Sequence, residues 1–186
     1  MLCVALSIAT SLSWQLAEAA EWRVDPERSS IGFEYLRAGL PAKGIFHRFR
    51  GKGVFDRADP SSARLTLIID SSSIDLFDAL ASAFATSAEW FDSKNHREMT
   101  YHLTRLMPLD DDHYDALGDL TIRGKTRPIR TEITLSIHDS QAEATGGLNV
   151  VRDDYLLGYG PSAAFVEIGQ EVTVRFNLVA AAEGSP

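Results

Sequence analysis

Cysteine is almost absent from this 186-residue chain, Cys3 being its single instance. That count excludes a disulfide framework, a C-x-x-C redox pair and a sulfur-rich metal site. Basic charge is also scarce: 18 Lys and Arg face 26 Asp and Glu, a formal charge of -8, with no Lys/Arg-rich run to offset it locally. Nucleic-acid binding needs clustered cations against phosphate, so a nucleic-acid partner is excluded. An anionic membrane surface is disfavoured on the same ground. A G-x-S-x-G elbow, an H-E-x-x-H pair and a Gly-rich phosphate loop are all missing. No run is long and apolar enough to stay in a bilayer as a spanning helix, and no stable membrane insertion is expected.

What is present divides at residue 19. Met1 to Leu16 are apolar and Ser/Thr-rich without a charged side chain, and Ala17-Glu18-Ala19 places small residues at the spacing signal peptidase reads. Residues 1–19 are therefore expected to be a signal peptide cleaved near Ala19, against the alternative of a buried N-terminal helix. Residues 20–186 form the mature domain, expected in the periplasm. Cleavage there removes Cys3 and leaves no thiol.

Period-two alternation dominates the mature region. Ile31, Phe33 and Tyr35 alternate with Gly32 and Glu34, and Met99, Tyr101 and Leu103 with Thr100, His102 and Thr104. Tyr114, Ala116, Gly118, Leu120 and Ile122 share a face opposite Asp115, Asp119, Thr121 and Arg123. Ile129 to Ile137 and Val172 to Leu178 repeat the pattern. Each alternation puts one face inward and one in water, as antiparallel strands do. Turn signals follow at short intervals, at Asp59-Pro60, Asp110-Asp111-Asp112 and Arg123-Gly124. The fold class is all-β: one antiparallel barrel of about eight strands, whose closure removes exposed edges. Gly44, Gly51 and Gly53 lie in a strand-like stretch where Phe46 and Phe49 flank an expected kink. One segment, at roughly 76–88, is Ala-rich and lacks Gly and Pro, and reads as a short helix capped by Asp75 or Ser73.

Candidates for chemistry are few. His47 with Asp56 is the one His–carboxylate pairing worth testing for a lipid-acting hydrolase or isomerase. His96 and His102 would need a third ligand such as Asp92 to hold a metal; solvated histidines are the simpler reading, and no metal is expected. The Asp110–Asp112 run fits a hairpin turn, and Ser71-Ser72-Ser73 a cap. The aromatic residues either fill a solid core or line a ligand cavity, and pattern alone leaves both open.

Several ordered motifs resemble the YceI family of periplasmic, lipocalin-like proteins from Trp22 to about Val179. Asp25 to Phe33 is similar to a D-x-x-H-S-x-x-x-F opening, with Arg28 where the family has His. Gly44-Ile45-Phe46, Phe49, Gly51 and Phe55-Asp56 resemble G-x-F…F-x-G…F-D, and Ser73-Ile74-Asp75 with Phe91-Asp92 resembles S-I-D…F-F-D. Gly118 to Pro128 resembles G-x-L-T-I-x-G-x-T-x-P, and Arg152 to Tyr155 a late R-x-D-F. Arg97 stands in place of a Pro, and Leu76, Ser82, Phe84, Ala85 and Thr86 replace a polar set on the helix. The resemblance implies a barrel around an apolar tunnel that carries isoprenoid or fatty-acyl molecules non-covalently, with no enzymatic activity, no cofactor and a possible homodimer. Inward phase and motif position give Phe33, Tyr35, Phe46, Phe84, Trp90, Phe91, Tyr101 and Leu120 as candidate ligand-binding residues. The leading expectation is a carrier for an apolar chain molecule; the alternatives are a solid-core interaction module and the lipid-acting enzyme.

Overall fold

The computed structural model describes residues 20–161 and 165–183; the expected signal peptide, residues 1–19, lies outside them. The strands are β1 (Ala20–Val24), β2 (Ser30–Arg37), β3 (Leu40–Phe46), β4 (Phe49–Phe55), β5 (Arg64–Asp70), β6 (Ile74–Asp75), β7 (Glu98–Pro108), β8 (His113–Ile122), β9 (Lys125–His138), β10 (Gln141–Val151) and β11 (Ile168–Ala182). Three consecutive pairs, β1/β2, β3/β4 and β5/β6, are each one strand bent at a corner. With β7 to β11 they make eight antiparallel staves in sequence order. The ring closes because β11 pairs with β1 at Trp22–Ala182 and with β2 at Phe33–Val174. Closure gives each stave a neighbour on both sides, with β9 and β10 paired only over Ile133–His138 and Gln141–Gly146.

Two-residue turns join several staves. Arg123 and Gly124 both have positive φ, 49° and 69°, and link Ile122 to Lys125, which face each other across the ladder. Such a turn matches strand twist but needs two left-handed residues, which is why glycine stands second. The acidic Asp110–Asp112 run is, as expected, the hairpin between β7 and β8.

The kink falls between Phe46 and Phe49, and its chemistry explains the Ser73-Ile74-Asp75 motif. There the Arg48 amide donates to Ser73 Oγ at 3.0 Å, and the Asp70 amide donates to the Arg48 carbonyl at 2.9 Å. Asp70 accepts from the Ser72 amide and hydroxyl at 2.9 and 2.6 Å, and from Arg97 and Arg48 at 3.0 and 3.2 Å. Two neighbouring staves therefore bend together, their interrupted ladders replaced by side-chain hydrogen bonds. Ser71–Ser73 is thus a single 3-10 turn at a strand corner and caps no α-helix.

The α-helix, α1 (Ala79–Ala85), is shorter than the expected 76–88 and starts later. Asp75 accepts from the Phe77 amide at 2.8 Å, and this local turn holds Phe77 in the left-handed region at φ 58°. The cap falls instead to Asp78, whose Oδ1 accepts from the Ala81 amide at 2.8 Å. The helix lies across one end of the barrel.

One expectation about faces fails. Asp115 does point outward but is only 1 % exposed, because Arg130 on β9 folds over it with Nε 2.8 Å from Oδ1.

Candidate functional site

The barrel interior is hollow, which removes the solid-core reading. A cavity of about 550 Å³ runs from the helix end toward the middle of the barrel. Below it, toward the opposite end, lies a smaller chamber of about 110 Å³. Leu65, Leu103, Ile133, Ala144 and Leu178 border both, forming a waist between them. Tyr114 and Phe55, ring centroids 6.3 Å apart edge to face, pack beside the lower chamber with Leu106 and Leu135.

All eight candidate residues border the larger cavity. Phe33, Tyr35 and Phe46 come from β2 and β3. Their rings form a continuous strip with Phe91: Tyr35–Phe33 at 5.9 Å, Phe33–Phe46 at 5.4 Å and Phe46–Phe91 at 5.8 Å. This strip exists because Gly44 lies opposite Phe33 in the ladder; a Cβ there would collide with the Phe33 ring and with Leu76. Phe84 from α1 meets Trp90 at 6.2 Å, and Tyr101 and Leu120, paired across β7 and β8, face them. Burial raises the Tyr101 phenol to about 12, with Asp119 adding to the effect, so it stays neutral. Tyr35, nearer the opening, is also raised by burial, against the pull of Arg37.

Residues outside the expected set complete the wall: Leu67, Leu148, Val174 and Phe176 from strand faces, and Ile74 and Leu76 from the corner. The strand residues carried a readable signal, the inward phase of their alternation. Arg152 carried no such phase, only its place at the head of the R-x-D-F resemblance. It borders the cavity, but its charge is answered by the chain: Nη1 donates to the Leu157 carbonyl at 2.6 Å and Nε to the Gly169 carbonyl at 3.2 Å. Its guanidinium also stands 6.0 Å from the Trp90 ring centroid. Arg123 does similar work from outside, donating to the Ala88 carbonyl at 2.7 Å and to the Leu156 carbonyl. These two arginines tie the 152–158 loop over Trp90.

Among the described residues, the other charged side chains bordering the cavity are Arg37 and Asp78, both at its open end. The expected His47–Asp56 pair does not form. His47 instead meets Asp75, Nε2 to Oδ2 at 3.1 Å, on the outer side of the corner with its side chain 55 % exposed. The reason is the kink, which turns His47 toward the Ser73–Asp75 stave, while Asp56 caps the next turn through the Ala58 amide. His102 lies on the outer face against Thr66 at 3.2 Å, and His96 sits in the loop after the helix, 4.0 Å from Asp92. Among the described residues no three His, Cys, Asp or Glu side chains gather as metal ligands. The arrangement can bury an uncharged, elongated apolar molecule, and among the described residues no nucleophile–base pair borders it.

Known proteins share this architecture. BcnA of Burkholderia cenocepacia superposes with a TM-score of 0.77 at 25 % identity, covering 84 % of this chain and 98 % of that one. A polyisoprenoid binding domain from Saccharophagus degradans, implicated in plant cell wall breakdown, gives 0.72 at 17 % identity over 89 % and 99 %. A UPF0312 protein of Vibrio parahaemolyticus is 29 % identical over 119 residues, 62 % of this chain and 63 % of its own length. The model of the YceI-like domain matches residues 22–180. On that match, the chain belongs to the YceI-like domain family.

Proposed function

We propose that the protein is a periplasmic carrier that holds one apolar chain molecule, an isoprenoid, quinone tail or fatty-acyl compound, inside the barrel and catalyses no reaction. One observation carries the reading: a cavity of about 550 Å³ walled by aromatic and aliphatic side chains, whose charged neighbours either bond to the chain itself or stand at the opening. Small-molecule sites of this kind run from about 300 to 1,000 Å³. Each methylene moved from water into such a site contributes about 0.8 kcal/mol, so a long tail binds without charged contacts after association costs are met. The Saccharophagus domain, described as polyisoprenoid binding, supports the ligand class. The uncharged segment before Ala17-Glu18-Ala19 supports export.

The test is native mass spectrometry of protein purified from its own envelope fraction, with organic extraction of what it holds. A stoichiometric adduct with the mass of an isoprenoid or acyl compound is the expected result. Protein that arrives empty and takes up neither farnesyl nor acyl probes overturns the reading.

A further inference from the structure

We propose that the open end of the barrel docks on a lipid bilayer, its rim of apolar side chains seated among the headgroups so that the cavity opens toward the hydrocarbon. The inference rests on the carrier reading and adds where the cargo is collected.

The distribution of exposed apolar side chains is the first observation. Leu40, 70 % exposed, stands at the tip of the β2–β3 hairpin; Phe77, 68 %, precedes α1; Leu80, 82 %, is on its first turn; Phe165, 89 %, precedes β11. Leu80 borders the larger cavity, and the other three adjoin residues that do: Phe77 lies between Leu76 and Asp78, Phe165 precedes Val166, and Leu40 pairs with Arg37 across the ladder. Leu36, Leu156 and Tyr159 extend the same rim. Among the described residues, Leu109 on the β7–β8 turn is the large exposed apolar side chain at the other end. Single exposed leucines are ordinary, but a cluster around an opening marks an interaction surface.

Backbone conformation is the second. Phe77 and Leu156 hold φ values of 58° and 56°, a region that favours glycine and asparagine and strains other residues. Phe77, 68 % exposed, and Leu156, 44 % exposed, thus display apolar side chains on such backbone, which suits a surface that receives them.

Charge gives the orientation. Asp56, Asp59, Asp110, Asp111, Asp112 and Asp139 all lie on turns at the closed end, whereas at the open end Asp75, Asp78, Asp153, Asp154 and Glu167 stand among Arg37, Arg123, Lys125 and Arg152, so the closed end is the more acidic of the two. Docking by the open end points the closed-end carboxylates away from a membrane that carries any anionic lipid. The rim reaches out from separate segments as knobs around a hole, the form of shallow interfacial insertion. A second copy seated mouth to mouth would seal both cavities, whereas a bilayer is a phase in which long apolar molecules dissolve, so cargo can pass without crossing water.

The test uses protein expressed from the full sequence, its N-terminus defined by intact mass. Co-sedimentation with phosphatidylcholine vesicles is compared between the wild type and a variant carrying Leu40→Ser, Phe77→Asn and Phe165→Ser. None of these three borders the cavity, and asparagine suits the backbone at 77. The expected result is vesicle binding that falls about tenfold or more in the variant, with uptake of a fluorescent fatty-acid probe in solution unchanged. Wild type that takes up the probe yet stays off vesicles overturns the docking and leaves the carrier reading standing. Vesicle binding that the variant retains overturns the docking as well. Rim-dependent vesicle binding by protein that takes up no probe overturns the carrier reading and supports the docking. If sedimentation velocity shows a dimer that the variant dissociates while vesicles stay bare, a second copy is the occupant and the proposal fails.

Discussion

Asp115 and Arg130 meet on the outside of the barrel wall, Oδ1 2.8 Å from Nε, with the Asp115 side chain 2 % exposed beneath an Arg130 side chain that is 72 % exposed. Glu132 stands directly opposite Asp115 in the ladder. The guanidinium therefore pairs with the one carboxylate that is buried, beside a second that is opposite it. A buried charge is tolerated only while its partner stays in place.

Arg130→Ala is accordingly expected to lower the thermal midpoint, because it strands the Asp115 carboxylate beside Glu132. Adding Asp115→Asn to that variant should recover most of the loss by removing the unpaired charge. Circular dichroism melts of the wild type, both singles and the double would decide. A double variant no more stable than Arg130→Ala would mean that the guanidinium acts through packing alone.

Acid should weaken the corner at Phe46–Phe49. Burial pushes the Asp70 carboxyl up, but hydrogen bonds from Ser72, Arg97 and Arg48 outweigh it and hold the group at about 2. A lowered folded value means that the stabilisation is present above the ordinary carboxylate range, near pH 4, and is lost as pH falls toward 2. The thermal midpoint should drop across that window. Asp70→Asn should start from a lower midpoint at neutral pH and fall less steeply, and equal slopes for the two proteins would count against this account.

Strand phases and the barrel were legible because alternation is a property of single strands; of the eight candidate residues, Phe84, Trp90 and Phe91 lie off the strands and did not come from it. Phe33, Tyr101 and Leu120 follow directly from it. What stayed hidden depends on neighbours distant in the chain. His47 meets Asp75 and not Asp56 because two staves bend at one corner, and the helix begins at Ala79 because Asp75 forms a local turn first. Asp115 looked solvated because its cover, Arg130, arrives from the next strand. Whether the aromatic residues filled or lined the interior depended on the gap they leave, which no period encodes.

Trp90 should report occupancy directly. It borders the cavity, lies 6.2 Å from Phe84 and is 9 % exposed, whereas Trp22 belongs to the lower chamber. Titration with an acyl or farnesyl probe is expected to change tryptophan emission, and Trp90→Phe should abolish most of the change while affinity moves by less than about tenfold, since one apolar ring replaces another. An undiminished signal in Trp90→Phe would place the ligand elsewhere.

The waist between the chambers should set the length of tail that binds. Ala144 borders both spaces, and Ala144→Phe introduces a ring where a chain would pass from one to the other. Tails short enough to stay in the upper chamber should bind the variant as they bind the wild type. Longer tails lose each methylene that would have entered the lower chamber, about 0.8 kcal/mol or roughly fourfold in affinity apiece. Competition binding across a fatty-acid series reads this as a break in the affinity-against-length plot that moves to shorter chains in the variant. Uniform weakening across the whole series would show that the lower chamber takes no part of the ligand, and that the ring merely disturbs the barrel.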